Sequence, residues 1–128
     1  MKKLYVLDFC RVEIHDDYML SEINEGTVIQ PKHADVVVVL VEKHFKNKPW
    51  VYISNRIHSY SVNPTVYLEA NKMSNLSGVA IISDKDQQKN QTKLEKIFFD
   101  KKLMCFDKLQ NALEWKNSIL ALYNHQSL

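Results

Sequence analysis

The stretch that decides the fold is PWVYISNRIHSYSVNPTVYLEANKMSNLSGVAIISD, residues Pro49–Asp84. Its two short apolar runs, Trp50–Ile53 and Val79–Ile82, read as strands. Between them Asn63-Pro64 announces a helix. An Asn side chain accepts the free N–H groups of a first turn, and the fixed φ of proline suits the first helical position. The helix is expected to run to about Asn75, with Gly78 breaking it before a Val79–Ser83 strand. Strand, loop, helix, strand is a βαβ unit. Its Arg56–Val62 loop follows the end of the first strand, where α/β folds usually keep their binding residues.

Upstream, Leu4–Ile14 and Tyr18–Ile23 read as two strands of a hairpin joined by the acidic turn His15-Asp16-Asp17, and Gly26 ends it. The run Val36–Val41 has high strand propensity. Even so, Pro31–Lys46 is expected to be helical. Pro31 fits the first helical position, and Ala34, Val37, Val38, Val41 and Phe45 recur at helical spacing. Val36, Val39 and Leu40 on its other side predict deep burial.

Downstream, Asp84–Thr92 holds no apolar residue and predicts an exposed loop that becomes helical, with Leu94, Ile97 and Phe98 as that helix's apolar stripe. Leu103–Phe106 reads as a strand and Asp107 as the cap of a last helix. The last helix gathers Leu109, Ala112, Leu113, Ile119, Leu120 and Tyr123 on one face, with Lys116 inside that face and obliged to snorkel. The order is ββαβαβαβα, an α/β domain spanning residues 1–128.

The totals exclude several classes. A chain of 128 residues supports one core. Net charge is +2, with 17 basic and 15 acidic residues interspersed, so there is no basic stripe of the kind a nucleic-acid binder shows. The longest apolar run, Val36–Val41, falls far short of the ~20 residues of a membrane span. The opening MKKLYVLDFCRVEIHDD turns acidic too soon for a signal peptide. Cys10 and Cys105 stand alone, which suits small buried thiols in a reducing, cytoplasmic compartment.

No catalytic signature is present. Two glycines cannot build a phosphate-cradling loop, and neither cysteine has a neighbouring base. Five histidines show no metal-ligand spacing, and His33 and His44 lie roughly 16 Å apart along one helix. Asp16-Asp17 reads as a solvated turn. No metal, cofactor or catalytic residue is expected.

Arg56, His58, Tyr60 and Ser61 form the one concentration of donors, aromatics and hydroxyls. Arg56 either holds an anion near the Asn63-capped helix or pairs with a local acid while Ser61 shapes the loop. Strand alternation puts Trp50 and Tyr52 on one sheet face and Val51 and Ile53 on the other. If sequential crossovers place every helix on one face, the second apolar face needs a cover: a helix, another copy of the chain or a ligand. Trp50 and Tyr52 therefore join the candidate ligand- or partner-binding residues.

YISNR followed by SYSVNPTVY, together with the element order, resembles the bacterial SpoIIAA-like group of the STAS superfamily over nearly the whole chain. Matching members are small stand-alone proteins of uncharacterised function. The resemblance implies a right-handed βα superhelix with a mixed sheet. It also implies a regulatory contact with a protein partner, since STAS members include anti-sigma factor antagonists switched by phosphorylation. More distant relatives of the fold bind lipids. Phosphorylated antagonists open their second helix with an Asp-Ser-Ser/Thr-Gly-type turn, whereas this chain has Asn63-Pro64-Thr65-Val66. Ser59, Ser61 and Thr65 are the nearby hydroxyls, and none matches that motif. The expectation is a non-enzymatic regulatory or protein-interaction module whose partner is another protein or a second copy in a homodimer. The alternative is a carrier or sensor of a small apolar or lipid-like ligand, which an enclosed apolar cavity with Arg56 at its mouth would favour.

Overall fold

The computed structural model describes residues 1–58 and 60–126, with side chains up to residue 122. Six strands form the main sheet in the order β1-β2-β3-β5-β7-β8. They are β1 (Lys3–Val6), β2 (Cys10–Ile14), β3 (Tyr18–Ile23), β5 (Trp50–Asn55), β7 (Leu76–Ile82) and β8 (Lys102–Phe106). The first three pair antiparallel and the rest join in parallel, so the sheet is mixed. Helices α1 (Pro31–His44), α2 (Val66–Ala70), α3 (Asp86–Glu95) and α4 (Leu109–Gln126) complete the domain.

The opening segment departs from expectation. Leu4–Ile14 is not one strand, because the chain reverses through Leu7–Phe9, where the Leu7 N–H donates to the Cys10 carbonyl. Two further residues pairs, β4 (Val28–Ile29) and β6 (Ser61–Val62), form a small parallel ribbon of their own. Both additions were too short to show as hydrophobic runs. The His15–Asp17 turn forms as read, with the His15 N–H on the Tyr18 carbonyl.

Val36–Val41 is helical, within α1. The His33 ring Nδ1 accepts the Gln30 N–H at 2.8 Å and so ties off the first turn. Only one stripe of α1 is buried, with Leu40 and Val41 covered and Phe45 just beyond the helix stacked on Trp50 at 5.0 Å. The expected deep burial fails on the other side, where Val39 is 65% exposed. One helix over one sheet face has a partner for only part of its circumference.

Asn63 works as a cap, though not at a regular helix start. Its Oδ1 accepts the Thr65 N–H at 3.1 Å and the Thr65 hydroxyl at 2.8 Å, while its Nδ2 donates to Gln30 Oε1 at 3.0 Å. The turn Asn63–Val66 then leads into α2, which ends at Ala70 and not near Asn75. Gly78 breaks nothing. It lies inside β7, and a Cβ there would meet Trp115 Cη2 of α4 at 3.0 Å and the Lys102 carbonyl at 3.3 Å. The missing side chain lets the last helix lie close on the sheet.

The helices do not all share a face. Tyr67 of α2, Leu40 and Val41 of α1, and Phe99 after α3 pack with Val12, Met19, Trp50, Val79 and Ile81. On the opposite face Ala112 and Leu120 of α4 cover Val51, Ile53, Ala80 and Ile82. The second face is thus covered from within the chain. Lys116 lies in the α4 face as read, and its Nζ reaches the Asp17 carboxylate at 2.9 Å beside the Tyr18 ring. Asp16 turns away to Lys2, so the two adjacent acids serve separate ion pairs. Lys108, not Asp107, precedes α4 directly, and Asp107 pairs with Lys89. Tyr123 lies outside the described side chains.

Two substitutions test this account by urea unfolding. Gly78→Ala overpacks the α4 contact and should lose about 1–3 kcal/mol. Asn63→Ala removes the cap and should lose about 1 kcal/mol; unchanged stability would show that the turn holds without it.

Candidate functional site

β5 places alternate side chains of its length against α1 and α2: Trp50, Tyr52 and Ser54, with Arg56 just past its end. Between this row and the helices lies an apolar cavity of about 120 Å³. Val12, Met19, Val37, Leu40 and Val79 contribute to its walls. Its lining runs from Trp50 to Arg56, roughly 20 Å along the strand.

At the Arg56 end the walls become polar yet stay dry. Arg56 is 2% exposed and Glu95, from α3, is 0% exposed. The guanidinium donates to Glu95 through two nitrogens, at 2.5 and 2.9 Å, and through Nε to the Tyr60 hydroxyl at 2.7 Å. A longer contact, 3.4 Å, reaches Gln88. The Tyr67 hydroxyl donates to the same carboxylate at 2.6 Å. Two hydroxyl pairs continue the network onto the sheet, Ser54 with Tyr60 at 2.7 Å and Ser21 with Tyr52 at 2.5 Å.

This arrangement explains a segment whose sequence misled. α3 carries almost no apolar residue, and its buried positions are Gln88, Thr92 and Glu95. Most of the expected stripe is in water instead, with Leu94 52% and Ile97 76% exposed, while Phe98 packs half-buried on the core. What α3 buries is a charge and the partners that satisfy it. A fork of two parallel N–H···O bonds is among the strongest contacts a side chain can make. Burial works to lower the Arg56 pKa, but hydrogen bonding to Glu95 together with the charge interactions of Tyr60, Glu95 and Tyr67 outweighs it and leaves the guanidinium firmly charged. Burial, reinforced by the Glu95 charge, raises the Tyr67 pKa well above the usual phenol value. Burial likewise raises those of Tyr52 and Tyr60, so all three hydroxyls keep their protons at neutral pH.

The candidate residues therefore separate. Trp50, Tyr52, Arg56 and Tyr60 line one cavity. His58 does not; it is exposed and faces Glu22 at 3.3 Å. Ser61 is also exposed and contributes backbone to β6, its N–H on the Thr27 carbonyl. Thr65 is half-buried and bonded to Asn63, and Ser59 lies outside the described residues. The anion reading of Arg56 is overturned, since its charge is already matched by Glu95. The acid is not local either, standing 39 positions further along the chain. Tyr67, Gln88 and Glu95 were missed by sequence reasoning. The one signal was a polar helix with a carboxylate near its end, opposite a lone Arg at a strand end.

The sequence matches no protein-family model and no curated protein. Among solved structures it is similar to an uncharacterised protein of the DUF3478 family with a SpoIIAA-like fold from Shewanella loihica PV-4. The two share 17% identity with a TM-score of 0.59, over 84% of this chain and 91% of that one. The fold is SpoIIAA-like, as the resemblance implied. Among the described residues no helix is long and apolar enough to cross a membrane.

Breaking the buried pair tests its role. Glu95→Ala strands the guanidinium and should cost about 3–5 kcal/mol in urea unfolding. Arg56→Met with Glu95→Met removes both charges and should lose clearly less than the single variant.

Proposed function

We propose that this protein is a non-enzymatic carrier or sensor of a small apolar ligand held between the sheet and helices α1 and α2. The observation that carries the reading is the apolar cavity of about 120 Å³ itself. Protein interiors are close-packed, and unfilled space costs stability. An apolar cavity of about 150 Å³ admits benzene, so the size class is that of one small hydrocarbon. A lining that follows β5 from Trp50 to Arg56 suits an extended chain.

Cys10 lines the cavity, but burial pushes its thiol up to about 11, which keeps it protonated and a poor nucleophile at neutral pH. The two free cysteines support a reducing, cytoplasmic location. Cys10 and Cys105 lie on strands four spacings apart, roughly 19 Å, too far to bridge. A regulatory protein contact is the second reading. One observation favours it: Val38 and Val39 stand 40% and 65% exposed on α1, where a partner could cover them.

Hexanol titrated into the protein should raise its unfolding midpoint and change Trp50 emission in a Trp115→Phe background, both saturably. Ala34→Leu adds bulk to the lining and should weaken both effects while the protein stays folded. Equal responses in the two proteins would place the hexanol elsewhere and sink the cavity reading.

A further inference from the structure

The cavity's polar end has a charge balance that restricts what can enter. Arg56 lines it, and Glu95, set behind the lining, cancels that charge through a two-bond fork. His33, also in the lining, uses Nδ1 to accept the Gln30 N–H, which is the neutral ring form. The remaining polar groups there are hydroxyls. Each hydroxyl pair, Ser21 with Tyr52 and Ser54 with Tyr60, spends one proton on the bond within the pair. Each pair thus retains a second proton to donate and lone pairs to accept with.

We infer that the cavity selects an uncharged ligand, a hydrocarbon chain ending in a hydroxyl or similarly neutral oxygen, and discriminates against carboxylates. The inference rests on the cavity reading above and names its ligand class. A carboxylate would bring a second negative charge beside Glu95, with one guanidinium between them. Desolvating that anion adds a further penalty that the occupied guanidinium cannot offset. A hydroxyl can pair with the Tyr52, Ser54 and Tyr60 hydroxyls of the lining, so it loses less on entry.

Hexanol and hexanoate, matched in chain length, separate the possibilities at neutral pH. In the Trp115→Phe background, hexanol should shift Trp50 emission with an affinity at least about tenfold better than hexanoate. Glu95→Gln leaves the guanidinium charge unmatched, so hexanoate should gain at least about tenfold and should raise the variant's midpoint more than hexanol does. Should that variant not fold, the comparison on the parent sequence decides alone. Hexanoate binding as well as hexanol overturns the selectivity while leaving the cavity reading intact. Failure of both to bind overturns the cavity reading, and the selectivity with it.

Discussion

The buried pair of Arg56 and Glu95 is the contact on which the rest of this structure depends. It joins the end of the central parallel strand β5 to the last turn of α3. Two charges taken out of water are unfavourable unless every polar atom around them is satisfied. Here Tyr60, Tyr67 and Gln88 supply those partners. The pair contributes position more than net stability. A helix with hardly an apolar residue has no hydrophobic reason to sit against a sheet, and this contact gives it one.

The same pair shapes the cavity. Because Arg56 is held against Glu95, the charge at that end is matched, with hydroxyls from β3, β5 and the following loop turned toward one another. The apolar remainder follows from strand alternation, which sends Val12, Met19, Trp50 and Val79 to the face under α1 and α2. The ribbon of β4 and β6 fixes where both helices begin, and the Asn63–Gln30 bond ties those two starts together.

The opposite face has a plainer logic. Val51, Ile53, Ala80 and Ile82 are apolar on a strand pair already buried on its other side, and α4 covers them. Gly78 permits the close approach, and Lys116 closes the edge by reaching Asp17 across the start of β3. No second copy is needed to keep this face dry.

What the sequence by itself determined was the larger elements set by local pattern, though not the Leu7–Phe9 reversal or the end of α2. Pro31 and the spacing from Ala34 to Phe45 made a helix of a valine run that looked like a strand. Asn63-Pro64 marked the turn into α2, and the alternation through Trp50–Ile53 assigned two faces. Six of the residues it singled out split four to two: Trp50, Tyr52, Arg56 and Tyr60 meet in one cavity, while His58 and Ser61 do not. What only the tertiary structure decided was which partner each side chain meets. Glu95 lies 39 positions from Arg56, and nothing local couples them. Leu94 and Ile97 looked like a core stripe because periodicity assumes that helices bury apolar residues, and α3 is held by charge instead. Gly78 looked like a breaker because its reason for existing, the Trp115 ring, is 37 positions away. Local propensity acts over a few residues, whereas burial and charge pairing act wherever the fold brings groups together, and that distance separates the two kinds of information.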